Sequence, residues 1–338
     1  MNLFDNATPA RYKENFSDFE LIGGEFHKWI RDNHARLKLN TSADWERFIE
    51  ELDFFTKVYL RIRDAEKFFD EATKYVYYNA QLNFTLQSQT LMAPVCPEDD
   101  AATVTQKINL TARFLDLWIN SRVTNFKKVD RNNIESYIYS LTKDIRRLPI
   151  VDLKRKLNEC YDALHYDSNS AIQKLRLNLF TKKYIKNILA RITDYIEKNT
   201  GKTPRYVEYM TATTNPFEIE HIICDHVERF SDEFSHEEFD SWRNSIGALL
   251  LLHRSTNASL SDSDYAQKLL KYCSTDGNVY AASLGEQTYR NNPQFRNFID
   301  AHNLPFEPFA TFGKAEISKR IELVVQLSNL VWNAEDFQ

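Results

Sequence analysis

"FEIEHIICDH", Phe217 to His226, is the stretch on which the reading of this chain turns. Phe217, Glu218, Ile219 and Glu220 alternate apolar and polar, and Ile222 and Ile223 then follow His221. A period of two marks a strand with one face in the core. The same stretch sets Glu220 directly before His221 and ends with Cys224, Asp225 and His226. It is either a buried strand that carries a few polar residues or the edge of a metal-dependent active site.

Downstream lies "WRNSIGALLLLHRSTNASLSDSDYAQKLLKYC", Trp242 to Cys273. Gly247 breaks the chain before a short apolar strand, and a helix capped by Ser261 and Asp264 is predicted through Tyr265, Leu269 and Tyr272. The order is strand, strand, helix, with a histidine on the first strand and Asn257 at the helix entrance.

The rest of the chain predicts helices. Seven glycines and nine prolines in 338 residues leave little turn chemistry for a sheet-rich fold. Trp45, Phe48, Ile49, Leu52, Phe55 and Val58 recur at helical spacing after a capping box of Thr41 and Asp44. Similar stripes run through Val104 to Val123, Ile134 to Leu148 and Lys314 to Trp332. "MAPVCPEDDAA", Met92 to Ala102, reads as an exposed loop. The fold class is therefore mainly α.

A net charge of -5 argues against wholesale polyanion binding but leaves room for a local basic face. Lys174, Arg176, Lys182, Lys183, Lys186 and Arg191 supply one. Lys182, Lys183 and Lys186 are candidates to track a phosphate backbone, with a solvated helix surface as the plainer reading. Four scattered cysteines without a CxxC pair fit a reducing cytoplasm, and no basic leader or membrane-length apolar run is present, so a soluble cytoplasmic protein is expected.

Glu220-His221-Ile222, then "IGALLLL", then Asn257 followed by "LSDSDYAQK", resembles the HNH or His-Me finger nuclease domain at the C-terminal end of GmrSD-type modification-dependent restriction enzymes. The resemblance implies an HNH (ββα-metal) motif embedded in helices. Residues 166–338 would form the nuclease domain with flanking helices and residues 1–165 a helical connector or scaffold. It further implies DNA, modified or foreign, as substrate, in restriction or defence against phage, and no membrane. The nucleotide-dependent sensor domain that usually precedes the connector has no counterpart in this sequence. Tyr265 and Lys268 match the family's aromatic residue three positions before a lysine. Two positions depart from the pattern: Ala248 stands where an asparagine usually follows the glycine, and Cys224 where a proline is usual. Asn244 or His253 would then supply the hydrogen bonds of the missing asparagine.

The chemistry suits these residue types. Phosphodiester hydrolysis needs a base for water and positive charge for the phosphate. His221 is the candidate base, Glu220 and Asn257 are candidate ligands for one Mg²⁺ or Mn²⁺, and Lys268 is a candidate phosphate contact. Zinc on His221, Cys224, His226, His236 and His253 is disfavoured, because the paired spacings of zinc sites are missing. A rival from another class keeps the scaffold with a degraded site and binds DNA or a partner through the basic face. Ala248 favours that rival; Glu220, His221 and Asn257 favour the enzyme.

Overall fold

Scarce glycine and abundant helical periodicity give a mainly helical fold that holds, among the described residues, one two-stranded sheet. The computed structural model describes residues 18–164, 167–274 and 278–337. The domain boundary expected between residues 165 and 166, and most of the amino-terminal stretch read for a leader, lie outside the described residues.

The Ser42–Lys67 helix starts at the expected capping box, with Thr41 and Asp44 each bonding the other's backbone N–H. Its buried face is Phe48, Val58 and Ile62, whereas Trp45 and Ile49 are 37% and 57% exposed, so the apolar stripe is narrower than its sequence suggests. The Ala101–Thr124 helix is buried on nearly every side and carries Lys107, Arg113 and Asp116 into the interior. The segment before it is not an exposed loop. Ala93, Pro94 and Val95 are buried, and the Lys107 ammonium ties the segment down by donating to the Pro94 carbonyl at 2.9 Å and pairing with Asp99 at 2.7 Å. A lysine with three donors draws local acceptors around itself once buried.

One apolar core runs from Val58 to Phe337 and crosses both halves of the chain; Trp29, Ile30, Leu37, Leu39 and Phe48 form a smaller second cluster. Arg191 fastens the halves. Its guanidinium pairs bidentately with Asp116 at 3.0 and 3.2 Å and lies 3.7 Å from the Tyr78 ring centroid. Arg191 thus leaves the predicted basic face and becomes a buried strut. No helix among the described residues is long and apolar enough to cross a membrane.

The sheet pairs β1, Phe217–His221, antiparallel with β2, Leu249–His253, in the register Phe217↔His253 to His221↔Leu249. A two-stranded sheet leaves carbonyls pointing outward on both edges, and each needs a donor. Asn257 Nδ2 reaches the Ile219 carbonyl, Lys268 Nζ the His221 carbonyl and Asn278 Nδ2 the Leu251 carbonyl. The sheet is positioned from behind by the Lys314–Val331 helix, which packs on the turn Ile246–Ala248.

Candidate active site

β2 runs straight into a short helix, Arg254–Leu260, which lies against both strands, so the ββα unit closes earlier than the sequence predicts. Asn257 sits inside this helix. The helix expected after Ser261 is a separate one, Tyr265–Tyr272, capped by Asp264. Lys268 therefore falls in its first turn, not deep along it.

His221 ends β1 on the face that also carries Phe217 and Ile219, and it is half-buried. Its Nε2 is 3.0 Å from Asn244 Oδ1. Asn244 closes the His236–Arg243 helix, and its Nδ2 donates at 2.8 Å to the Asp240 carbonyl, which can only accept. That bond fixes the amide orientation, turns Oδ1 toward the imidazole, and requires the proton on Nε2. Nδ1 then holds a lone pair and makes no hydrogen bond among the described residues. Burial, aided by the Arg243 charge, lowers the His221 pKa to about 4, so the ring is neutral near pH 7.

The alternation of β1 sends Glu220 to the opposite face. There it is buried, and its Oε1 accepts from Lys268 Nζ at 2.7 Å and from the Tyr272 hydroxyl at 3.1 Å. Lys268 is 2% exposed. This corrects two expectations. The lysine is a buried brace between a carboxylate and a strand carbonyl rather than a phosphate contact open to substrate, and Glu220 offers a metal at most its second oxygen.

His253 pairs with Phe217 at the far end of the ladder, stacks on that ring at 3.8 Å and meets the Asn215 carbonyl at 2.9 Å. It is four residues along the strands from His221 and does not support it. Cys224 contacts Arg229, and His226 pairs with Glu228 and Asp262, so the five candidate zinc ligands do not converge. Among the described residues no three His, Cys, Asp or Glu side chains gather at one point. Glu220 Oε2 and Asn257 Oδ1 each make no hydrogen bond among the described residues. Both are hard donors, and Mg²⁺ is commonly held by one or two protein oxygens, water and substrate phosphate. Oxygen donors of this kind suit such an ion better than tetrahedral zinc.

The sequence reading missed Arg243. Its charge bears on His221, and its guanidinium donates to the Ile223 carbonyl at 3.3 Å and faces Asp225 at 3.8 Å. Its only signal was adjacency to Asn244. Of the three lysines, Lys182 is exposed and Lys183 and Lys186 are half-buried, all in the first turns of the Lys182–Asn199 helix. The segment before that helix touches the site, since Leu177 N donates to the Asn244 carbonyl at 2.7 Å and Arg176 bridges to Ser245.

Residues 167–324 match the family model described as GmrSD restriction endonucleases, C-terminal domain. No curated protein and no solved structure matches the chain.

Proposed function

We propose that this chain, whose residues 167–324 match the family model of the GmrSD restriction endonuclease C-terminal domain, hydrolyses DNA phosphodiesters at an HNH-type ββα site with His221 as general base. The observation that carries the reading is the contact of His221 Nε2 with Asn244 Oδ1 at 3.0 Å, which, with the Asn244 bond to the Asp240 carbonyl, selects the Nε2–H tautomer, while burial lowers the pKa of the ring and favours its neutral form. With Nε2 committed to that amide, Nδ1 takes a proton from water as the water oxygen bonds to phosphorus. The leaving oxygen departs with its bond pair and is protonated by solvent, and the imidazolium releases its proton to solvent. Both the Arg243 and the Lys268 charges bear on the His221 ring, but Lys268 is bound to Glu220 and the His221 carbonyl, so Arg243 is the cation we assign to the phosphate. A divalent ion with Asn257 Oδ1 as a ligand would stabilise charge on the phosphate and leaving oxygen, and Glu220, on the opposite face of β1, would reach that ion only around the strand end. In a longer polypeptide, the helical first half would join this site to a sensor for foreign or modified DNA.

The expected result is that the purified chain nicks or linearises supercoiled plasmid in Mg²⁺ or Mn²⁺, stops with chelator, and loses the activity on His221→Ala. No cleavage with Mg²⁺, Mn²⁺, Co²⁺ or Ni²⁺ at high protein would sink the reading. The second reading, a DNA-binding module without catalysis, has its own observation: the Lys268 ammonium already occupies one oxygen of the carboxylate a metal would need. Mn²⁺ calorimetry separates them, because the module would bind no ion that Glu220→Gln or Asn257→Ala weakens.

A further inference from the structure

Leu179 and Phe180 are 93% and 88% exposed, the two most exposed large apolar side chains among the described residues. Leaving both in water costs folding free energy that burial would recover, yet the turn that presents them is firmly built. Asn178 Oδ1 accepts from the N–H groups of Phe180 and Thr181 at 2.9 and 3.0 Å. The Thr181 hydroxyl donates to the Arg176 carbonyl at 2.6 Å and accepts from Asn178 N at 2.9 Å. Such side-chain bonds to local backbone fix a turn without tertiary help. The two side chains are therefore held out rather than left loose.

Two features of the surroundings say what they meet. Lys174, Lys182 and Lys183 flank the turn, and none has a carboxylate partner among the described residues; Lys186, further along the helix, already feels the Glu218 charge. Unpaired cations around an apolar tip suit a surface that is anionic outside and apolar within, which is a stack of bases between phosphates. The turn is also tied to the site, since Leu177 N bonds the backbone of Asn244, whose side chain holds His221. Resting on the DNA-hydrolase reading, we propose that Leu179 and Phe180 form a wedge that enters a base step of duplex DNA beside the scissile phosphate, with Lys182 and Lys183 on the flanking phosphates. Apolar wedges of this kind unstack a step and kink the duplex. Here the kink would carry the phosphate toward His221.

The test uses the full chain with duplexes carrying 2-aminopurine at successive positions, in chelator and in Ca²⁺, so that binding is read without turnover. Wild type should brighten the probe at one step. Leu179→Ser/Phe180→Ser should lose that signal and bind about tenfold more weakly, with the slope of log Kd against log salt unchanged. Lys182→Ala/Lys183→Ala should keep the signal at saturation and reduce the slope by about two. Both pairs lie on the surface, and circular dichroism checks their folding. The wedge is overturned if wild type binds without brightening any probe, or if the serine variant binds and brightens like wild type. It is equally overturned if that variant alone turns a sedimenting dimer into a monomer, since the patch would then be covered by protein. Duplex that is bound and brightened but never cut in Mg²⁺ or Mn²⁺ would remove the hydrolytic reading and leave the wedge standing. No duplex binding at all would remove both.

Discussion

At His221 two independent constraints agree: the Asn244 amide selects the tautomer, and burial with the Arg243 charge disfavours protonation. In the metal-free protein, nitrogen-detected NMR should show Nε2 protonated at pH 7 and a titration midpoint near about 4. The folded pKa lies below the ordinary 6.5, so the unfolded chain takes up a proton first as pH falls. The stability this group contributes is full above 6.5 and is lost as pH drops toward 4. A midpoint near 6.5 would mean the ring is solvated and free. Asn244→Ala should leave the fold intact, shift this tautomer balance, and reduce turnover on the order of tenfold to a hundredfold. Beneath the strand, Lys268→Met strips a buried carboxylate of its partner and should destabilise by about 3–5 kcal/mol. Glu220→Gln/Lys268→Met should recover much of that loss, because the amide still accepts from Tyr272 and no charge is left unpaired. Additive losses in urea unfolding would argue against the brace. The order of Glu220, His221 and Asn257 singled these residues out in the sequence, and Asn244 entered only beside His253 as a replacement for the missing asparagine. Their partners were not legible, because a strand alternation says that Glu220 faces away from His221 but not which helix waits on the other side.

Among elements, the strands and the capped long helices were legible because period and caps are local signals. The Arg254–Leu260 helix was not. "RSTNASL" is rich in residues whose side chains compete for backbone hydrogen bonds and favour turns, and only its packing on both strands makes it helical. That short helix moves Asn257 from a loop onto the hairpin and shifts Lys268 to the start of the next helix. The value of Gly247 was also half legible: it marks a chain break in the sequence, but the structure gives its reason. A Cβ there would lie 2.5 Å from the Ile317 carbonyl and 2.8 Å from Ile321 Cγ1, so the Lys314–Val331 helix can approach β2 only over a glycine. Arg320 closes the same contact by donating to the Gly247 carbonyl at 2.8 Å. Gly247→Ala should cost about 1–3 kcal/mol by overpacking. Because β2 holds β1 in register, it should also lower cleavage, read as a fall in kcat at unchanged secondary structure by circular dichroism. A variant as stable as wild type would show that the helix can give way.

Across the whole molecule, the apolar core passes from the helical first half into the half that carries the sheet without interruption, and its centre is charged. Asp116 comes from the Ala101–Thr124 helix and Arg191 from the Lys182–Asn199 helix, with both side chains nearly fully buried. Arg113, beside them, donates to the carbonyls of Val331 and Asn333 at the end of the chain's last long helix. Nothing in the sequence distinguished Arg191 from the lysines around it, because helical register, not composition, decides which cations of a basic helix turn inward. Desolvating such a pair costs much of what its attraction gains, so the pair adds little over an apolar filling. Removing one partner is another matter. Asp116→Ala leaves a guanidinium in the core against Tyr78 and Trp332 with no carboxylate bonded to it, and should cost about 3–5 kcal/mol. Since the two halves share this core, the loss should appear as one cooperative transition at lower denaturant, with tryptophan fluorescence and plasmid cleavage falling together. Two separated transitions, with cleavage surviving the first, would show instead that the half carrying the sheet stands alone and that the Asp116–Arg191 pair only joins finished domains.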